Sequence, residues 1–166
     1  MAGQPFRLAL NAGKTLAFAH VFWDYYYACG PASGPSMLPT FEIAGEYLVA
    51  DKNYRLGRGV AVGDLVYYKI PIFPKASGIK RVVGMPGDFV LFNNPDSQKD
   101  MMIQLHQVPQ GHCWLVGDNL EASRDSRLYG PVPLALIGGK VVARALPLSG
   151  DKWLKNGLRD VQEDRK

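Results

Sequence analysis

Ser33-Gly34-Pro35-Ser36-Met37-Leu38-Pro39-Thr40 holds a serine on a backbone that cannot be helical. Pro35 lacks an N–H and fixes its own φ, Pro39 pushes Leu38 toward extended geometry, and Gly34 lets another chain approach closely. A serine presented this way is exposed and orientable, which suits a nucleophile. It still needs a base, because a hydroxyl at its free pKa attacks poorly.

A second stretch, Lys80-Arg81-Val82-Val83-Gly84-Met85-Pro86-Gly87-Asp88, offers that base. Gly78 to Met85 reads as a strand, so alternate side chains take opposite faces: Lys80 goes with Val82, and Arg81 goes with Val83. A lysine works as a general base only when neutral, so its pKa must fall from about 10.4 toward about 7–8. Apolar neighbours achieve this by desolvating the ammonium, and a guanidinium on the other face leaves that side free for packing. Ser-Lys is a known variant of the serine–base arrangement. Each stretch alone has a bland reading, a turn serine and a solvated lysine.

The third stretch runs from Gly117-Asp118-Asn119 through Ser123-Arg124-Asp125-Ser126-Arg127 to Tyr129-Gly130-Pro131. It is dense in hydrogen-bonding and turn residues after an apolar strand, and could orient a catalytic pair. With the three in this order, residues 30 to 148 resemble the type I signal peptidase family. The shared pattern is S-x-x-P-T, then K-R-V-x-G-x-x-G-D, then G-D-N-x-x-x-S-x-D-S-R-x-x-G. Within the family, Gly-Pro-Ser-Met at the serine and Tyr129-Gly130-Pro131 look most like first-subunit members of the mitochondrial inner membrane branch. A lysine at position 80 argues against the endoplasmic-reticulum branch.

The resemblance implies a mainly β domain, of the signal-peptidase and LexA-like antiparallel kind, behind an N-terminal membrane-anchor helix. It implies Ser36 as nucleophile, Lys80 as base, and a Ser123 hydroxyl bonded to the lysine amine. Asp125 and Arg127 look like the family's structural ion pair, while Asp118 and Asn119 are expected to brace their own loop. Bacterial relatives carry a hydroxyl residue two positions before the nucleophile as an oxyanion donor. Here that position is Gly34; the Ser36 N–H can still serve, and for the second donor either Ser33 or a bound water substitutes, or the site manages with less. The implied partners are precursor proteins with sorting or signal peptides, a second protease subunit and inner membrane lipid. The implied location is the mitochondrial inner membrane, with the catalytic domain facing the intermembrane space. No metal or cofactor is implied. A substrate segment, extended around its cleavage site, could add beside the Lys80 strand, with Gly34, Met37, Val82 and Met85 lining its pockets.

Composition agrees with one globular domain: 166 residues, 47% hydrophobic and 20% charged. A net charge of +4 permits contact with an anionic membrane but does not point to nucleic acid. Two cysteines make no disulfide framework, and Cys113, inside His112-Cys113-Trp114-Leu115-Val116, reads as a buried thiol. A bridge to Cys29 stays open.

The chain divides into an anchor helix over 1–30, a peptidase domain over 31–150 and a polar tail over 151–166, in which Trp153 and Leu154 can pack. Asn11, Lys14, His20 and Asp24 interrupt the first segment, where about 20 apolar residues would be needed for a span. The best placement is Thr15 to Cys29, and an interfacial helix is the alternative. His20 and Asp24, four apart, can pair with each other or with a partner subunit. Further strands are expected over 46–50, 64–70, 89–92, 101–108 and 138–146, with loops at 52–63 and 93–100. Three other readings are a second-subunit protease, a catalytically silent β scaffold and a self-cleaving repressor. The last needs an N-terminal DNA-binding domain that residues 1–30 cannot supply.

Overall fold

The computed structural model describes residues 3–73, 75–92, 104–147, 152–154, 156 and 158. Helix α1 covers Gly3–Tyr26 and is exposed along its whole length. The strands are β1 (Tyr27–Ala32), β2 (Glu46–Asp51), β3 (Leu65–Lys69), β4 (Ser77–Gly84), β5 (Phe89–Phe92), β6 (Gln104–Gln107), β7 (His112–Val116), β8 (Val132–Pro133) and β9 (Ile137–Leu146). A one-turn helix, α2, spans Ser126–Tyr129. Seven strands form one sheet in the order β1-β2-β9-β3-β4-β7-β8, and β5 and β6 make a separate antiparallel pair. Every ladder is antiparallel. The mainly β expectation holds.

The anchor expectation changes. The helix stops at Tyr26, and Tyr27–Ala32 pairs with β2, so the proposed span from Thr15 to Cys29 is not one helix. No helix among the described residues is long and apolar enough to cross a membrane. Asp24 finds its partner in the loop after β2 and not in His20. Lys52 Nζ donates to the Asp24 carbonyl at 2.5 Å and lies 4.0 Å from its carboxylate. Arg55 donates to the Tyr25 hydroxyl at 2.8 Å and stacks over its ring. The basic loop thus fastens the end of α1 to the sheet. The loop at 93–100 and strand residues 101–103 lie outside the described residues, as does most of the tail. Leu154 packs on the core while Trp153 is exposed.

Three apolar clusters lie in the interior of the described residues, as strand alternation requires; the smallest joins Val90, Val108 and Trp114, and the two larger ones border the site. One joins Val66, Tyr68, Val82, Cys113, Leu115, Val132 and Ile137. The other joins Ala32, Met37, Phe41, Leu48, Ala50, Leu65 and Val141. Cys113 belongs to the first as a free thiol that burial pushes up to about 12, and Cys29 is free and exposed. The three motif stretches meet at the seam between the two larger clusters: Met37 follows Ser36 into one, and Lys80 shares its strand face with Val82 of the other.

Candidate active site

Ser36 sits in one turn of 3₁₀ helix, Pro35–Met37, where a non-helical backbone was expected; Pro35 is tolerated because it opens the turn, which is entered from Gly34 at φ 101 and ψ 157. That conformation is almost confined to glycine, so a side chain at position 34 would be strained. Lys80 comes from β4 and is 5% exposed. Its Nζ lies 2.5 Å from Ser36 Oγ, bridging 44 residues of sequence. Burial pushes the lysine below its ordinary range, and the nearby carboxylates of Asp125 and Asp118 pull it part of the way back. A buried amine touching a hydroxyl can, when neutral, take the hydroxyl's proton.

Two carboxylates bracket this pair. Asp118 accepts both Arg81 Nε at 2.8 Å and Arg81 Nη2 at 2.7 Å, and also the Thr40 hydroxyl. Burial alone would raise its pKa, but the Arg81 and Thr40 bonds outweigh it and hold the carboxyl below the usual range. Asn119 completes this side: its N–H donates to the Ser36 carbonyl and its side chain to the Pro35 carbonyl, both at 3.1 Å. Asp118 and Asn119 therefore clamp the serine turn, whereas the sequence pointed to their own loop. Arg81 is the contributor that sequence reasoning set aside. Its signal was its place beside Lys80, on the strand face turned away from the amine.

Asp125 forms the other bracket. It caps α2, accepts Arg127 Nε at 2.9 Å and Gly117 N–H at 3.0 Å, and takes the Ser123 hydroxyl at 2.6 Å. Burial pushes this carboxyl up, and the Arg127, Gly117 and Ser123 bonds bring it below its ordinary value. The Asp125–Arg127 ion pair is present as expected. Ser123 is a correction: its hydroxyl serves Asp125, while the Lys80 amine donates to Ser36. The carboxylate, fully buried, is the stronger acceptor.

A cavity of about 580 Å³ opens beside Ser36 and Lys80. Its walls include the β1 segment 28–32, Ser33, Gly34, Met37, and Ser77 to Lys80. Gly34 and Met37 line it as expected. Val82 and Met85 do not: Val82 is fully buried in the core and Met85 packs against it. The expectation of a strand added beside β4 also needs refining, because β4 lies between β3 and β7. However, β7 pairs only with Arg81, Val82 and Gly84, so among the described residues 77–80 has no strand on that side. The outer edge of β1 has no strand partner among the described residues either. The cavity therefore lies between two free backbone edges.

The chain is similar to known proteins along most of its length. A family model described as signal peptidase, peptidase S26, matches residues 7–98 and 93–146. The chain belongs to this family. It is a serine protease of the signal peptidase type. The mitochondrial inner membrane protease subunit 1 of Schizosaccharomyces pombe is 41% identical over 97% of this chain and 98% of that protein. The subunit 1 protein of Saccharomyces cerevisiae is 36% identical over 90% of this chain and 89% of that protein. A subunit 2 protein of Schizosaccharomyces pombe matches at 33% identity over 76% of this chain and 68% of its own length. Among solved structures, a signal peptidase I from Enterococcus faecalis V583 aligns with 50% of this chain and 97% of that chain, with a TM-score of 0.40 and 21% identity.

Proposed function

We propose that the chain is a membrane-bound endopeptidase that removes sorting or signal peptides, with Ser36 as nucleophile and Lys80 as general base. The observation that carries this reading is the 2.5 Å contact between a buried amine and a turn-mounted hydroxyl. As Ser36 Oγ attacks the scissile carbonyl, the neutral Lys80 amine takes the hydroxyl proton. The resulting ammonium returns that proton to the leaving amine, giving an acyl-enzyme. Lys80 then removes a proton from water as it attacks the ester, and the released serine recovers a proton from the ammonium. The Ser36 N–H is the first oxyanion donor, and the Ser33 hydroxyl on the cavity wall is the second.

The substrate lies extended in the cavity, its backbone pairing with the free edges of β1 and of 77–80. Small side chains fit against Met37 and Gly34, while Asp125–Arg127 and Asp118–Asn119 hold the site in shape. The relatives' names support the mitochondrial inner membrane as location and a second protease subunit as partner. Helix α1, with Phe6, Leu8, Leu16, Phe18 and Trp23 exposed, is the membrane-attaching element. The catalytic domain then faces the intermembrane space.

The test compares mitochondria carrying wild type, Ser36→Ala or Lys80→Met, with precursor and mature forms of sorted proteins separated on a gel. Both variants should accumulate precursor while being stably expressed. Normal processing by both would leave a scaffold for another active subunit.

A further inference from the structure

Tyr68 and Tyr129 have no part in the scheme above, yet their hydroxyls form a part-buried link on the sheet face of its base. Tyr68 is fully buried in β3, and its register partner in β4 is Gly78, two residues before Lys80. Val66 is paired with Lys80 in the same ladder, so Val66, Tyr68, Gly78 and Lys80 share one face of the sheet. The Tyr68 ring packs close over Gly78, where a Cβ would stand 3.4 Å from Tyr68 Cε1. The Tyr68 ring reaches the cavity wall that Lys80 also lines. Its hydroxyl lies 2.5 Å from the hydroxyl of Tyr129, at the end of α2. Helix α2 is the segment capped by Asp125, the carboxylate that gathers Ser123, Gly117 and Arg127.

We propose that the Tyr68–Tyr129 hydroxyl pair is a positioning device for Lys80, tying the strand beside the lysine to the α2 segment and keeping water from the amine's apolar side. The proposal rests on Lys80 acting as the base. An unpaired hydroxyl left in this core would have to recruit water or move the helix, and either change wets the lysine. Ser36 from the serine turn bonds the amine; the charges of Asp118 after β7 and of Asp125 and Arg127 around α2 act on it, and Tyr68 from β3 is its neighbour on the same sheet face. Glu42 and Arg124 stand on the exposed rim of the cavity. Burial is the largest influence holding Lys80 below its ordinary range, so the amine is sensitive to added water.

The experiment measures the pH dependence of kcat/KM for a peptide substrate, using solubilised membranes from cells expressing the full chain, with Ser36→Ala membranes as the blank. Tyr68→Phe and Tyr129→Phe keep the rings and each remove one hydroxyl. Each should move the acidic limb upward by about half to one pH unit, a loss of about three- to tenfold below the limb. The double variant should shift no further than either single one, because all three break the same bond. A lowered melting temperature with an unmoved limb overturns the proposal, as do additive shifts. If Lys80→Met cleaves like wild type, the base assignment fails and the proposal falls with it. If Lys80→Met is inactive and the limb stays in place, only the tyrosine proposal fails.

Discussion

The two carboxylates flanking the Ser36–Lys80 contact look alike in sequence but work in different settings. Asp118 holds the serine turn from a partly open position, with its side chain 15% exposed and that of Arg81 11% exposed. Asp125 lies under the lysine with its side chain at 0% exposure, while that of Arg127 is 19% exposed. Removing an arginine from the first pair leaves a carboxylate that water can reach. Removing one from the second strands a charge in the core. The lesson is that the same motif letter carries different weight according to what surrounds it, so Asp125 should govern folding and Asp118 the placement of the nucleophile.

Breaking the pairs tests this. Asp125→Ala should cost about 3–5 kcal/mol, because it removes at once the acceptor of the buried Gly117 N–H, the Ser123 hydroxyl and the Arg127 guanidinium, and denaturant unfolding would show it. An Asp125→Ala protein as stable as Asp118→Ala would erase the contrast. Gly117→Ala probes the junction between the brackets. The added Cβ would lie 2.2 Å from Ser123 Oγ and 2.5 Å from the Ser36 carbonyl. About 1–3 kcal/mol of stability should be lost, and activity should fall because the serine turn must shift. Asp118→Asn should be milder in stability, about 1–2 kcal/mol, with a fall in kcat larger than any change in KM.

Acid should act on both pairs in the same direction. Each carboxyl is held below its unfolded value, so its contribution is present above about pH 4 and is lost as pH falls through the folded value. Lys80 gives the same sign of pH dependence in a more alkaline window, but there the shift costs stability. Its folded pKa is depressed, so between that value and about 10.4 the unfolded chain binds the extra proton and stability rises with pH. Lys80→Met should therefore be inactive yet at least as stable as wild type near neutral pH. Thermal melts of the two proteins at several pH values check this.

How much of the site could be read in advance followed from how local its interactions are. Lys80 and Val82 share a buried face because strand alternation fixes it, and Asp125 meets Arg127 because they are two residues apart. Ser123 was misassigned because spacing alone does not rank two nearby acceptors. In the fold its hydroxyl reaches the Asp125 carboxylate first. Strand β1 was read as the end of a helix, since Gly30 and Pro31 are poor strand residues. They are tolerated because β1 is at a sheet edge, where no outer neighbour needs an N–H from Pro31. Val82 and Met85 were expected at the pocket because they lie close to Lys80 in sequence, but the packing of β7 against that end of β4 puts them in the core.

The sequence by itself determined the family, a Pro- and Gly-flanked turn that mounts the serine, and the separation of Lys80 from Arg81 on opposite faces of one strand. These rest on backbone stereochemistry and on a period of two, both local properties. Only the tertiary structure decided that Arg81 reaches Asp118 across 37 residues, that Tyr68 meets Tyr129 across 61, and that two free strand edges face one cavity. Those contacts depend on strand order and register, which emerge when the apolar clusters pack and which no single segment encodes.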